Sequence, residues 1–337
     1  MALLSRIIGS RLVRYGFVVA VVTLGIWAIV SDWHEIGPDL ARIGLPMALA
    51  SLVIDLLGCC ASMWTWRVLL AGLGSPLPFG AASRVLFVGQ LGKYLPGSVW
   101  PVLAQMEMGT SYNVPRSRSG AASLVNMGVS VLGAFLAAAV FLPLSGGSSA
   151  YLWFAAAIPV FLVCLHPKVL NYLLARAFRL GRRPPLEQPL TGRVIAVAVA
   201  WSVVSWLLYG LAVWLLATRV GFPASGYPLA VGAYALSWAL GFLFIPAPAG
   251  GGVREVVLIP LLMRPHGMTY AAAYAITIVW RAVTIVGDLM LAGLAMTSRK
   301  GRVIPAGADD ADEEPASVLG SLDQASAPDP ASPAPHR

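Results

Sequence analysis

Several charged side chains stand beside glycine and proline clusters in strongly apolar parts of the sequence. Arg254 and Glu255 follow the triplet Gly250–Gly252, and Lys93 stands just before a Pro-Gly pair. A charge inside a bilayer is costly, so a retained one indicates a function. Guanidinium and ammonium groups, together with the free N–H groups of a helix start, are typical partners of a phosphate. We therefore predict a binding site for an anionic headgroup at these positions.

The predicted site also takes in an arginine of the last apolar segment. Arg281 precedes Asp288 by seven residues, two turns along one helix face, and we expect it to pair with an acid of a broken segment. The substrate-binding residues are predicted to be Lys93, Pro96, Gly97, Glu107, Gly250, Gly251, Gly252, Arg254, Glu255 and Arg281. Three structural alternatives stay open: Arg254 and Glu255 form an ion pair that fixes the chain, Lys93 extends to the membrane interface, and Arg281 forms a structural buried pair. Asp288 is expected to be structural.

Two apolar segments with broken centres carry most of these residues. They are Leu86–Met108 and Leu236–Met263, which contain LGKYLPGSVWP and FIPAPAGGGVREVVL. Proline removes a backbone donor and glycine weakens a helix, so neither segment is typical of a simple spanning helix. Irregular backbone within a membrane persists only where protein or a water-filled cavity surrounds it. A pair of such breaks in two halves of a chain indicates a transporter-like binding site.

The composition is that of a polytopic membrane protein. The 337 residues are 58% hydrophobic and 11% charged, against about 25% charged in soluble domains. The first 302 residues hold 22 basic and 8 acidic residues, a net charge of +14 that suits anionic lipid headgroups and not nucleic acid. The cysteines and histidines have no metal-ligand spacing, and we expect no metal and no cofactor. Most tryptophans are expected to be interface anchors or packing residues.

Six segments are long and apolar enough to span a bilayer. They are Tyr15–Val30, Leu45–Met63, Ala121–Leu142, Tyr151–Leu165, Val194–Ala217 and Tyr270–Met296. Basic loops mark the cytoplasmic side and place both termini there, with the acidic loop Trp33–Arg42 outside and the basic stretch Lys168–Arg193 inside. Each broken segment must then enter and leave on one side, so both are predicted to be re-entrant hairpins.

The predicted fold class is therefore all-α, with six full spans and two re-entrant hairpins in an inverted-topology repeat. The transmembrane domain covers residues 1–302, and its two inverted units cover about 12–143 and 150–298. Residues 303–337 are acidic and rich in Pro, Ala and Ser, which predicts a disordered cytoplasmic tail.

The motifs GKYLPGSVWPVLAQ and IPAPAGGGVREVVL resemble the transmembrane-region family of the lysylphosphatidylglycerol synthetases, also called flippase-like membrane proteins. The resemblance runs from about Leu45 to Met296. It implies a domain that moves a phospholipid or a lipid-linked sugar between leaflets. The soluble aminoacyl-transferase domain of the full-length synthetases has no counterpart here, so their enzymatic activity is not implied.

These observations predict a plasma-membrane translocase of an anionic phospholipid or of a sugar linked to polyprenyl phosphate. Without a nucleotide-binding motif, transport is expected to be passive or ion-coupled. Two alternatives remain: an accessory subunit that presents lipid to a glycosyltransferase partner, and an integral-membrane transferase. Against an enzyme stand the short loops and the lack of a catalytic carboxylate pair, histidine or metal constellation, so we predict no catalytic residues.

Overall fold

The computed structural model describes residues 33–95, 99–146, 151–180, 189–244 and 248–297. This part of the chain is built from helices joined by short turns, and it contains no strand. The predicted first span, Tyr15–Val30, lies outside the described residues, as does the predicted tail.

Helix α1 (Trp33–Gly72) is bent near its beginning. Gly44 has φ 66° and ψ 161°, outside the helical region, and Pro38 and Pro46 flank it. Proline removes helix hydrogen bonds, which explains the kink at this point. The segment Trp33–Arg42, predicted to be a loop, is therefore helical, and Asp39 pairs with Arg42 one turn on at 2.8 Å.

Hairpin 1 (residues 79–110) corresponds to the first broken segment. It begins before the predicted start of that segment at Leu86. Its first limb consists of α2 (Phe79–Ser83), a π-helical turn (Arg84–Val88) and a 3₁₀ turn (Leu91–Tyr94). Its second limb is α3 (Trp100–Thr110). The limbs touch at Gly92, where an added Cβ would stand 2.9 Å from the backbone nitrogen of Pro101. Only glycine permits so close an approach of the two backbones.

The middle of the chain holds one long helix and three short ones. Helix α4 (Arg116–Leu144) covers the third predicted span. The fourth predicted span is divided into α5 (Leu152–Ala156) and α6 (Ile158–Cys164), and α7 (Pro167–Leu180) follows at a bend of 66°. The first part of the stretch predicted to be a basic loop is thus helical, with charged and apolar residues on opposite faces.

The second half repeats the pattern of a long helix, a hairpin and a long helix. Helix α8 (Gly192–Thr218) begins at Thr191, whose hydroxyl accepts from the Val194 N–H at 3.4 Å. Hairpin 2 (residues 227–266) consists of α9 (Tyr227–Leu243) and α10 (Val253–His266), with a 3₁₀ turn at Pro248–Gly250 between them. Helix α11 (Tyr270–Thr297) closes the bundle.

Within the described residues, five helical stretches are long and apolar enough to cross a membrane, and a sixth is obtained if α5 and α6 together with the bent α7 count as one span. One of the five, Ala224–Leu243, was missed by the sequence analysis, which began the second broken segment at Leu236. Small and polar residues lower its mean hydropathy to 1.2, against 1.7–2.2 for the others. It is also the most enclosed of the five, because 67% of its most apolar window is buried, against 22–39% elsewhere.

Small residues let these helices approach closely. Gly210 of α8 faces Val231 of α9, and Gly232 of α9 faces Leu142 of α4; a Cβ on either glycine would come within 3 Å of its neighbour. Such contacts are typical of helix packing in membranes, where close van der Waals contact replaces the hydrophobic effect. The core is centred on α9, which packs against α4, α8 and α10.

Candidate functional site

The two hairpins and the long helices line a cavity of about 200 Å³. Its wall includes residues of α1, hairpin 1, α4, α8, hairpin 2 and α11. The 3₁₀ turns at the two hairpin breaks, Leu91–Tyr94 and Pro248–Gly250, contact each other beside it. Five charged residues line the wall: Asp55, Lys93, Arg254, Arg281 and Asp288.

The end of the first limb of hairpin 1 is bound to α11 through one carboxylate oxygen. Oδ2 of Asp288 lies 2.6 Å from Nζ of Lys93 and accepts a hydrogen bond from the Tyr94 hydroxyl at 2.5 Å. Lys93 and Tyr94 stand immediately before the break of hairpin 1. Asp288, expected to be structural, therefore holds the hairpin and lines the cavity.

Arg254 reaches the cavity from the first turn of α10 by passing between two glycines. An added Cβ on Gly241 would lie 2.6 Å from Cγ of Arg254, and one on Gly250 would lie 2.7 Å from its Nε. Gly250 also has φ +71°, which a residue with a side chain rarely adopts. The guanidinium lies 5.7 Å from the ring centre of Trp238, and its Nε is buried without a hydrogen-bond partner among the described residues.

Arg281 links α11 to hairpin 2. Its Nη1 donates to the Ala249 carbonyl at 3.3 Å and lies 3.9 Å from Oε1 of Glu255. The expectation that Arg281 pairs with an acid of a broken segment is thus met. The partner of Glu255 is Arg281 and not the adjacent Arg254, so the alternative of an Arg254–Glu255 bridge finds no support in the ion pairs of the described chain.

Uncharged polar side chains also line the cavity. They are serine hydroxyls and the amides of Gln90, Gln105 and Asn126. Ser123 donates to Oε1 of Gln105 and accepts from the Trp66 indole at 3.1 Å, which fixes α3 against α4 and α1. Oδ1 of Asn126 and Nε1 of Trp206 are buried without partners among the described residues, so these two lining residues can still exchange hydrogen bonds with a ligand.

The structure brings together four of the ten predicted site residues. Lys93, Gly250, Arg254 and Arg281 line the cavity, and Glu255 lies behind it as the partner of Arg281. Gly251 and Gly252 shape the turn into α10 but are not part of the wall, and Pro96 and Gly97 lie outside the described residues. Glu107 is exposed and pairs with Arg116 at 2.9 Å, away from the cavity wall, so its assignment to the site remains a sequence prediction.

Sequence reasoning missed the aromatic part of the site. Trp206, Trp238, Tyr94, Tyr209 and Tyr234 line the cavity, although the tryptophans had been expected to anchor interfaces or pack. The edge-on packing of Trp206 on Trp238, with ring centres 4.9 Å apart, carries the aromatic surface from α8 to α9. Of these aromatic residues, only Tyr94 could have been predicted from the sequence to lie in the site, because it stands beside a charged residue and a break.

A family model described as the lysylphosphatidylglycerol synthase TM region matches residues 14–292. The chain belongs to this family. The match spans both hairpins and every residue that lines the cavity. With several apolar helices of spanning length, it establishes a multi-pass membrane protein with a lipid-related role. No curated protein matches the sequence.

Proposed function

We propose that this protein binds the anionic headgroup of a membrane lipid in the central cavity and carries it from one leaflet to the other. The substrate class is an anionic phospholipid or a sugar linked to polyprenyl phosphate. The observation that carries the proposal is the convergence of three cations, Lys93, Arg254 and Arg281, from hairpin 1, hairpin 2 and α11 on one cavity. Clustered cations in an apolar bundle need anions to balance them.

Two of these cations are already balanced. Lys93 is paired with Asp288, and Arg281 is paired with Glu255. Arg254 has no ion pair with any carboxylate of the described chain, and its Nε has no acceptor. A phosphate would supply both the missing negative charge and the missing hydrogen-bond acceptor, because charge-assisted hydrogen bonds from arginine to phosphate are strong and directional.

Contacts at the ends of hairpin 1 favour a re-entrant course. Nη1 of Arg118, which follows the hairpin, donates to the carbonyl of Gly74 at 3.0 Å and lies 3.3 Å from Oγ of Ser75, which precede it. The chain therefore leaves the hairpin next to the point where it entered. With two such hairpins, six spans would complete the predicted topology.

The packing favours an inverted repeat in which α1, hairpin 1 and α4 correspond to α8, hairpin 2 and α11. The equivalent helices α1 and α8 pack against each other. Helix α4 packs on hairpin 2, as α11 packs on hairpin 1. Helix α1 contacts α11, as α8 contacts α4. This exchange of partners is what a two-fold relation between the units would produce.

The test is the substitution Arg254→Gln, which keeps a polar side chain and removes the charge. We expect at least about a tenfold loss of bound phosphatidylglycerol, because a hydrogen bond to a charged group contributes roughly 1.5–3 kcal/mol. Lipid retained by the purified protein is measured by native mass spectrometry. Movement between leaflets is measured in liposomes with a headgroup-accessible fluorescent lipid.

The matched control is Arg219→Gln, which removes an exposed arginine outside the cavity wall. It should leave lipid retention and transport unchanged. Equal retention by wild-type protein and a folded Arg254→Gln variant would contradict the proposal. Normal retention by the wild type without movement between leaflets would instead support the accessory role, in which the protein presents lipid to a glycosyltransferase.

A further inference from the structure

Asp55 is a buried carboxylate that none of the interactions described so far uses. It lies in the middle of α1, lines the central cavity and is 2% exposed. Its Oδ2 receives no hydrogen bond from any described residue, and no ion pair joins Asp55 to a described cation. An ionised carboxylate without a partner is costly to bury, so such a group is held neutral by a proton or balanced by a bound cation.

The contacts of Oδ2 favour a proton over a metal cation. An added Cβ on Gly287 of α11 would lie 2.5 Å from this oxygen and 3.5 Å from Cδ1 of Leu52. Gly287 and Leu52 therefore lie on one side of the oxygen and leave little room for further oxygen ligands there. Cations such as Na⁺ or Ca²⁺ need several oxygen ligands at short distance, whereas a proton needs only the carboxylate itself. No set of three His, Cys, Asp or Glu residues in the described part of the chain is arranged to hold a metal.

The charge balance of the cavity depends on whether Asp55 carries a proton. Lys93 and Arg281 are neutralised by Asp288 and Glu255, which leaves the positive charge of Arg254. With Asp55 protonated, the cavity keeps one net positive charge and suits a singly charged phosphate diester. With Asp55 ionised, that charge is cancelled within the cavity and the attraction for the anion is lost.

We propose that Asp55 is a proton-binding site whose occupancy is coupled to that of the anionic headgroup, so that one proton and one lipid are carried together. The inference deepens the proposed function and rests on it for the identity of the second ligand. Binding coupling is reciprocal: if a proton on Asp55 favours the anion, the anion favours the proton to the same extent. The proton enters from water as the cavity loads and returns to water after the headgroup leaves.

Other titratable or charged groups near Asp55 set the field in which it acts. Asp288 of α11, an acid, and Lys93 of hairpin 1, a base, lie within electrostatic range of Asp55. Cys59 of α1, Tyr209 of α8 and Tyr234 of α9 complete the set among the described residues. Asp288 already accepts from Lys93 and Tyr94, whereas Oδ2 of Asp55 has no donor among the described residues, so Asp55 is the acid of the two that is free to take up a proton.

The proton itself is detected by infrared difference spectroscopy on the purified full-length protein. A protonated carboxylic acid has a carbonyl stretch distinct from that of a carboxylate. We expect the wild type to show such a band near neutral pH and Asp55→Asn to lack it. Asp39→Asn is the matched control, because Asp39 is a buried acid of the same helix that is paired with Arg42 and stands outside the cavity wall. It should retain the band.

The coupling is measured with phosphatidylglycerol as the anion and phosphatidylcholine as the zwitterionic control. In phosphatidylcholine nanodiscs, wild-type retention of phosphatidylglycerol should fall by about tenfold per pH unit above the titration of Asp55, as one coupled proton requires. Asp55→Asn, which mimics the protonated acid, should retain the lipid equally at all pH values. Short-chain phosphatidylglycerol added to weakly buffered wild-type protein should cause uptake of up to one proton per lipid bound, a readout that does not need the variant to fold.

Each contrary result is decisive. Absence of an Asp55-dependent band overturns the proton site whatever the lipid does. Retention that follows Na⁺ concentration and not pH overturns it in favour of a metal cation. Retention that is independent of pH in the wild type refutes the coupling while the proposed function stands. If no anionic lipid is retained at any pH although the band is present, the proposed function fails and the coupling fails with it.

Discussion

At the scale of single residues, Asp288 is the acceptor on which hairpin 1 depends. One of its oxygens binds both Lys93 and Tyr94, two neighbours at the break, so a single carboxylate fixes the end of the first limb. Removing one member of a buried pair leaves the other charge without compensation, which costs more than the pair contributes. Lys93 keeps 35% of its side chain exposed, and solvent reduces this cost.

We therefore expect Asp288→Asn to lower the free energy of unfolding by about 1–2 kcal/mol and Lys93→Gln by less. The double variant should lose less than the sum of the single losses, because the two side chains interact directly. Thermal unfolding of the four proteins in one detergent measures the cycle. Strictly additive losses would show that the two residues do not stabilise each other.

Some site residues were predictable because their chemistry is unusual in context. Lys93, Arg254 and Arg281 are cations in apolar segments, and all three line the cavity. The sequence did not reveal the partners, because Asp288 meets Lys93 across 195 positions of chain through the packing of α11 on hairpin 1. Trp206 and Trp238 were missed for a related reason: in an apolar helix nothing marks the face that lines a cavity.

At the scale of elements, both hairpins depend on a glycine of the first limb that allows the second limb to approach. In hairpin 1, Gly92 faces the backbone of Trp100 and Pro101; in hairpin 2, Gly241 faces Gly250 and Arg254. A backbone neighbour cannot rotate away as a side chain can. Hairpin 1 should therefore tolerate a side chain in place of its glycine less well than hairpin 2.

Gly92→Ala should accordingly destabilise the protein by about 1–3 kcal/mol, the usual cost of overpacking. Gly128 of α4 is the matched control, since an added Cβ there meets nothing within 4 Å. Gly128→Ala should be neutral or should stabilise by up to about 1 kcal/mol, because alanine favours a helix. Melting temperatures of the purified variants measure the difference. Equal melting temperatures would mean that hairpin 1 opens at little cost.

The long helices could be predicted from their apolar runs, but element boundaries were less accessible. The first limb of hairpin 1 begins at Phe79 and combines α-, π- and 3₁₀-helical turns, and none of these has a distinct sequence signal. The limb Ala224–Leu243 was overlooked because its glycines, serine and tyrosines reduce the mean hydropathy of a helix that is enclosed by protein. Polar and small residues are tolerated in this limb because other helices surround it. That burial depends on how the helices pack, which the sequence does not show.

At the scale of the whole molecule, the proposed inverted repeat rests on long helices that pack against the hairpin of the other proposed unit. Membrane sidedness and the location in the plasma membrane remain predictions from the basic loops. The hydrogen bonds from Arg118 to Gly74 and Ser75 join the residues before and after hairpin 1. If the hairpin is re-entrant, both of its ends must therefore be accessible from the same side of the membrane.

Single cysteines at Pro76 and Ser117, in a background without the three native cysteines, should react with an impermeant reagent from the cytoplasmic side alone. Cysteines at Ser225 and Thr269 flank hairpin 2 and should react only from outside. All four substitutions are in turns or at helix ends, and labelling of intact cells against inverted vesicles provides the measurement. Opposite labelling of Pro76 and Ser117 would make hairpin 1 a full span and remove the inverted repeat.

Helix α11 holds both hairpins from one face. Arg281 binds hairpin 2 and Asp288 binds hairpin 1, and seven residues of helix place the two contacts about 10 Å apart and nearly in line. A helix turns as a rigid rod, so rotation of α11 about its own axis would strain both contacts in the same sense and at the same moment. The two hairpins would then move together, and a crosslink that stops α11 from turning would hold both of them in place.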